Sequence, residues 1–260
     1  MEDSHTPLST WFWAAYLISS QTPGMSARQF QRQLDIACYE TAFLILHKLR
    51  AGMVRPNQDR IGRKLPLEYV EVDETLVGGR TRGKGHGVHD KVTVAGAVEV
   101  RWSEKPGSKK RRGGRYAGRV RLSVADRSKE TLGDFVRAAV EPGTVILTDG
   151  WQGYDLESAG YQHHAEPIRG QAHKVELYLP MIHLVFSNLK TWIRGIHHGV
   201  SRQHLQAYLN EYVFRFNRRF SPLSAFRSLL GIAGASVAPT YDALYSGEWE
   251  HPKCKGNVPF

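Results

Sequence analysis

Two aspartates occupy places from which a carboxylate can hold a cation. Asp73 lies in Tyr69-Val70-Glu71-Val72-Asp73-Glu74-Thr75-Leu76-Val77, an alternating run in which Glu71, Asp73 and Thr75 share one strand face. A carboxylate on a core-facing strand is costly to bury unless a cation or hydrogen bonds compensate. Asp73 is therefore a candidate ligand for a hard divalent ion; a solvated face is the other reading. Asp149 closes the short apolar run Val145-Ile146-Leu147-Thr148 and precedes Gly150-Trp151. Side chains so placed reach the crevice at a strand's carboxyl end, although Asp149 alone reads equally as a helix N-cap. Two such carboxylates on neighbouring strands favour a shared ion. Seven of the twelve histidines fall between His163 and His204, yet adjacent histidines rarely converge on one ion and no cysteine completes a tetrahedral set, so zinc is not expected.

The elements that must position these groups follow from periodicity. Residues 69–77, 91–100 and 116–125 have strand character and 144–148 is a short buried strand; 128–140, 177–196 and 201–216 read as helices. Strands first, then alternating helix and strand, give a mixed α/β sheet covered by helices. Upstream, residues 8–52 read as helical. Ser26 can cap a short helix to Leu34, and an amphipathic helix runs from Tyr39 to Arg50 after a tight turn. That shape leaves open both a helix-turn-helix reader, with Lys48 and Arg50 near its end, and a plain helical hairpin. Trp192, Tyr208, Tyr212, Phe214 and Phe216 recur at helical spacing and are expected in the core. Residues 53–66 read as a linker.

The charge points to a polyanionic partner: 35 Lys and Arg against 25 Asp and Glu give a formal +10. Between the second and third strands, residues 101–121 carry Lys105, Lys109, Lys110, Arg111, Arg112 and Arg115 among glycines, a density of one sign that suits phosphate contacts. Two cysteines are too few for a disulfide framework, and no apolar run is long enough to span a bilayer. A reducing, cytoplasmic and nucleoid-associated location is expected.

The segments YVEVDETLVGG, ILTDGWQGY and HLVFSNLKTWIRGIHHGVSRQHLQAYLNEYVFRFNRR, with SARQFQRQLDIACYETAFLILHKLR upstream, resemble the ISXO-like insertion-sequence transposases of the DDE superfamily. The resemblance covers most of residues 8–230. It implies a ribonuclease H-like core in which Asp73 and Asp149 hold Mg²⁺, with Mn²⁺ able to substitute. It also implies two-metal phosphoryl transfer, in which water nicks an element end and the freed 3′-hydroxyl attacks target DNA. The superfamily's third residue is usually a Glu seven positions before Lys or Arg. Counting back from Lys190 gives His183, 34 positions after Asp149, and seven residues is nearly two helical turns, so His183 and Lys190 share a face. Asn188 is the rival third residue, because relatives carry Asn there. Neither side chain supplies negative charge, so one ion is expected to be held less tightly than by three carboxylates.

The resulting scheme has an N-terminal helical DNA-binding domain over 1–55, a catalytic domain over 66–200 with its basic loop at 101–121, and C-terminal helices and tail over 201–260. The chain opens where the cysteine-rich zinc ribbon common in the family would end, so the expectation is that either the helical unit of residues 8–52 suffices to recognise the element ends or the product is a shortened one that binds DNA poorly. Double-stranded DNA is the expected partner, contacted by Lys48, Arg50, Lys109, Lys110, Arg111, Arg112, Arg115, Lys190, Arg215, Arg218 and Arg219. A homodimer or higher assembly on paired ends is expected. A catalytically inactive regulator derived from a transposase is the competing function.

Overall fold

The alternation around Asp73 becomes a central strand. In the computed structural model, β1 (Tyr69–Val77) pairs antiparallel with β2 (Val92–Ser103), which pairs antiparallel with β3 (Gly114–Val124). On its other side β1 pairs parallel with β4 (Val145–Thr148), and β4 pairs parallel with β5 (Gln162–Ala165). The order β3-β2-β1-β4-β5 is the mixed sheet expected of a ribonuclease H-like core. The structure describes residues 4–55, 60–62, 68–78, 91–103, 114–126, 128–149, 156–165 and 178–253.

Val70, Val72, Ala95, Ala97 and Ile146 line one face of this sheet. They pack on Leu132, Phe135, Val136 and Ala139 of α4 (Lys129–Ala139), each fully buried large side chain contributing about 1.5–3 kcal/mol. The α4 start is specified locally, because Ser128 Oγ accepts the Thr131 N–H at 3.2 Å. The opposite face carries Glu71, Asp73 and Gly96. It meets α5 (Pro180–His197) through Ile182 and Phe186.

Residues 60–62, read as linker, are tied to the sheet unit. Ile61 bridges to Val140, and Gly62 N–H donates to Glu99 Oε1 at 3.0 Å. Burial alone would raise the pKa of Glu99. The N–H groups of Arg119 and Gly62 and the Arg119 guanidinium outweigh it and hold Glu99 at about 2. A depressed folded value means that this stability is complete above the unfolded pKa near 4.5 and is lost as pH falls toward 2. Glu99→Gln is expected to remove on the order of 3 kcal/mol at pH 7 and little at pH 2. Urea melts at both pH values check this.

The helices outside the sheet form a second unit, made by residues 4–55 together with 191–253. It holds α1 (Leu8–Ser20), α2 (Ala27–Gln33), α3 (Tyr39–Ala51), a 3₁₀ turn at Arg202–His204, α6 (Leu205–Asn217), α7 (Pro222–Ala233) and α8 (Tyr241–Ser246). Trp11, Ala15, Ile18, Phe30, Ile45, Leu46 and Leu49 share one core with Phe214, Ala225 and Leu229. The chain's two ends therefore build one hydrophobic cluster, where the sequence suggested an N-terminal domain at 1–55 apart from helices at 201–260. Trp192, Tyr208, Tyr212 and Phe214 are buried, as helical spacing implied. No described helix is long and apolar enough to cross a membrane.

Three DNA-contact expectations change. Arg50 is fully buried, with its Nε donating to Glu211 Oε2 at 2.9 Å and its guanidinium 4.0 Å from the centre of the Tyr208 ring. It cannot reach a phosphate, because its burial in the helical core occupies it. Most of α3 is likewise buried, with Glu40 its only fully exposed residue and Lys48 half-buried. A helix enclosed on so many sides acts here as a core element; α2 exposes Arg28, Gln29, Arg32 and Gln33 instead. Arg215 is held inside by Glu211 Oε1 at 3.3 Å and by the Gln21 carbonyl. Arg218 is half-buried over Phe214, and Arg219 is exposed over Phe216. Arg115, assigned to the basic loop, is an exposed residue of β3 opposite Trp102, since the β2–β3 ladder extends further than its apolar residues indicated. Lys109, Lys110, Arg111 and Arg112 lie outside the described residues.

Candidate metal and active site

Strand register brings the two aspartates together. In the parallel β1–β4 pair Val70 lies opposite Ile146 and Glu71 opposite Leu147. Two residues further along come Asp73 and, just past the end of β4, Asp149, whose charge acts on Asp73. Neighbouring strands are ~4.8 Å apart, which puts the carboxyl ends of β1 and β4 side by side. The solvated-edge reading of Asp73 does not hold: β1 is central, and Asp73 is 7% exposed.

Burial pushes the Asp73 carboxyl up to about 7. The Glu74 N–H, donating to Oδ1 at 2.8 Å, opposes this, while the charges of Asp149 and Glu74 add to it and Lys190 lowers it. A carboxylate desolvated beside another carboxylate is in deficit of positive charge. Asp149 is half-buried at the carboxyl end of β4. The helix expected after Gly150 lies outside the described residues.

Helix α5 brings the remaining groups. His183 Nε2 lies 3.3 Å from Asp73 Oδ2, with the His183 side chain 38% exposed. Lys190, seven residues on, acts on Asp73 electrostatically and is half-buried. Asn188 is exposed and, five residues from His183, projects about 140° around the helix from it. Of the two third-residue candidates, His183 is the one in contact with Asp73.

Two positioning residues escaped the sequence reading. Glu71 is fully buried, and its Oε2 accepts the N–H groups of both Met181 and Ile182 at 2.8 Å. It satisfies the first turn of α5 from the adjacent strand. Burial raises Glu71 to about 7 against those two bonds. Its place two residues before Asp73 on the same strand face was the available signal. The second is Gly96, the β2 partner of Asp73. A Cβ there would lie 2.6 Å from Phe186 Cε1 and 3.0 Å from Ile182 Cδ1, so glycine allows α5 to approach the sheet beside the site. A glycine inside an apolar strand marks such an approach. Gly96→Ala is expected to cost about 1–3 kcal/mol through overpacking. An α5 displaced by ~1 Å would slow DNA cleavage on the order of 10²-fold. Calorimetry paired with a nicking assay reads both.

A family model described as the ISXO2-like transposase domain matches residues 67–217. The chain belongs to this transposase family. The matched stretch begins just before β1 and ends with α6, so it contains Asp73, Asp149, His183 and Lys190. No curated protein and no solved structure matches the chain. As an ISXO2-like transposase the protein has DNA as its partner class, and the family generally uses divalent metal. The donor set fits that use, because a pair of carboxylates with one imidazole offers mainly hard oxygen ligands to such an ion.

Proposed function

We propose that this transposase cleaves DNA at element ends and joins them to target DNA, with Asp73 and Asp149 holding Mg²⁺, or Mn²⁺ in its place, between them. The observation that carries the reading is the buried Asp73 carboxyl acted on by the charge of Asp149, with His183 Nε2 3.3 Å away. When bound, the metal supplies charge that acidifies a water or a DNA 3′-hydroxyl and offsets the charge of the leaving oxygen in an in-line displacement. Asp73 and Asp149 contribute the negative charge that recruits it. His183 contacts Asp73 and either fixes that carboxylate's orientation or serves as a third donor. Lys190, on the same helix face, grips a phosphate near the scissile bond as a point charge. Glu71 anchors the α5 N-terminus and so keeps His183 and Lys190 in place.

DNA beyond the scissile phosphate is held by basic side chains. Lys109 to Arg112, Arg115, Arg218 and Arg219 are the proposed contacts, with Lys48 contributing from α3. Each phosphate neutralised adds about one unit to the dependence of log affinity on log salt. Pairing of two ends calls for at least a dimer.

The regulator reading draws on the imidazole at position 183, which adds no negative charge to the site. Incubating the full chain with labelled element ends and Mg²⁺ or Mn²⁺ separates the two. Nicking followed by strand transfer supports the transposase; retained binding without nicking in either metal leaves the regulator.

A further inference from the structure

Three histidines from distant parts of the chain converge inside the helical unit, apart from the carboxylates. His47 lies on α3, His204 ends the 3₁₀ turn before α6, and His251 follows α8. One ring nitrogen of each lies within 4.8 Å of the other two. His47 Nδ1 and His251 Nε2 are 3.0 Å apart. In a tetrahedral zinc site with bonds of 2.0–2.1 Å, neighbouring ligand nitrogens are separated by about 3.3 Å. The His47–His251 pair is thus already spaced as one edge of such a tetrahedron. His204 has to close by at most ~1.5 Å to complete a face. It is half-buried at the end of a single turn, where a small ring movement is inexpensive.

We propose that His47, His204 and His251 form a zinc-type metal site, three imidazole nitrogens with a fourth position left for water, that clips α3, the turn before α6 and the chain after α8 together. The chemistry of the surroundings agrees. Burial, with the Arg50 charge adding to it, lowers the pKa of all three rings, His251 to about 3. The imidazoles are therefore neutral; of the two nitrogens that face each other at 3.0 Å one donates its hydrogen to the other, and binding a metal moves that hydrogen to the ring's other nitrogen. The Arg50 guanidinium repels a cation, and Glu211, 2.9 Å from it and shared with Arg215, offsets part of that charge. Aromatic rings hold the cluster in place: Phe43 packs on His47 at 4.3 Å and on His204 at 5.5 Å between ring centres, and Tyr208 stands edge-on to His47. Among the described residues no carboxylate belongs to the cluster, so imidazole-seeking Zn²⁺, Co²⁺ or Ni²⁺ is preferred over Mg²⁺. The sequence hid the site because its ligands lie 157 and 47 positions apart, without any local motif.

The test uses the full chain, stripped with a chelator and carrying Asp73→Asn and Asp149→Asn so that the carboxylate site takes no metal. Titration calorimetry with Zn²⁺ alone is expected to give one equivalent bound at micromolar affinity or tighter. Co²⁺ in its place should give the strong visible bands of a tetrahedral nitrogen site. With free Zn²⁺ at about a hundred times its Kd, the melting temperature should rise by roughly 5–10 °C. His204→Gln, a change at a half-exposed position, should leave the circular dichroism spectrum unchanged and abolish the Zn²⁺-dependent rise. Absence of stoichiometric binding overturns the site, and so does equal binding by H204Q. Loss of DNA cleavage in the carboxylate variants has no bearing on either outcome.

Discussion

Asp73→Asn and Asp149→Asn are each expected to abolish strand cleavage, by on the order of 10³-fold or more, while the protein stays folded and binds end DNA. The magnitude follows from what each charge does. An amide keeps the size of the carboxyl but cannot match a divalent cation's charge, and metal contributes several kcal/mol to a phosphoryl transition state at tenfold per 1.36 kcal/mol. Stability should move the other way for Asp73. Burial disfavours its ionised form, and Asp149 repels it, so the neutral Asn removes an electrostatic penalty in the metal-free protein. A thermal melt in chelator should show D73N no less stable than the parent. Gel assays with labelled ends in Mg²⁺ report cleavage, and the same gels without metal report binding. If D73N cleaved at more than about a tenth of the parental rate, the carboxylate pair could not be the cation-holding centre, whatever the register suggests.

Local signals carried much of this architecture. Strand alternation marks β1 and the start of β2, and the helical runs at 128–140, 177–196 and 201–216 coincide closely with α4, α5 and α6. The superfamily's seven-residue pattern, carried over by the resemblance, also paired His183 with Lys190 on one helix face. What escaped was non-local. Strand β5 is Gln-His-His-Ala, with no apolar residue beyond Ala165 and most of it exposed, so its pairing depends on the β4 edge rather than on its own sequence. Basic residue type suggested DNA for Arg50, yet its environment is set by Glu211, 161 positions away. The Glu71 cap on α5, the Gly96 contact and the histidine cluster share that character: each is made by partners far apart in the chain, and periodicity reports only near neighbours.

Arg50 provides the sharpest separation between a core role and a DNA role. Glu211 is fully buried, and its two oxygens are met by Arg50 at 2.9 Å and Arg215 at 3.3 Å. Arg50→Met keeps much of the side chain's volume but leaves a buried carboxylate with the longer of its two contacts. Breaking a buried pair from one side costs about 3–5 kcal/mol. Arg215 remains, so the lower end is expected, with a fall in melting temperature of roughly 6–12 °C. Removing both charges should behave differently. Arg50→Met combined with Glu211→Leu no longer strands a carboxylate, and apolar replacements of buried pairs are often neutral, so most of the lost stability should return. DNA affinity of the folded single variant should stay within about twofold of the parent, and the slope of log affinity against log salt should not change, because no phosphate contact has been removed. A variant that melts normally but loses one unit of salt slope would put Arg50 on the DNA and rule out its role in the core.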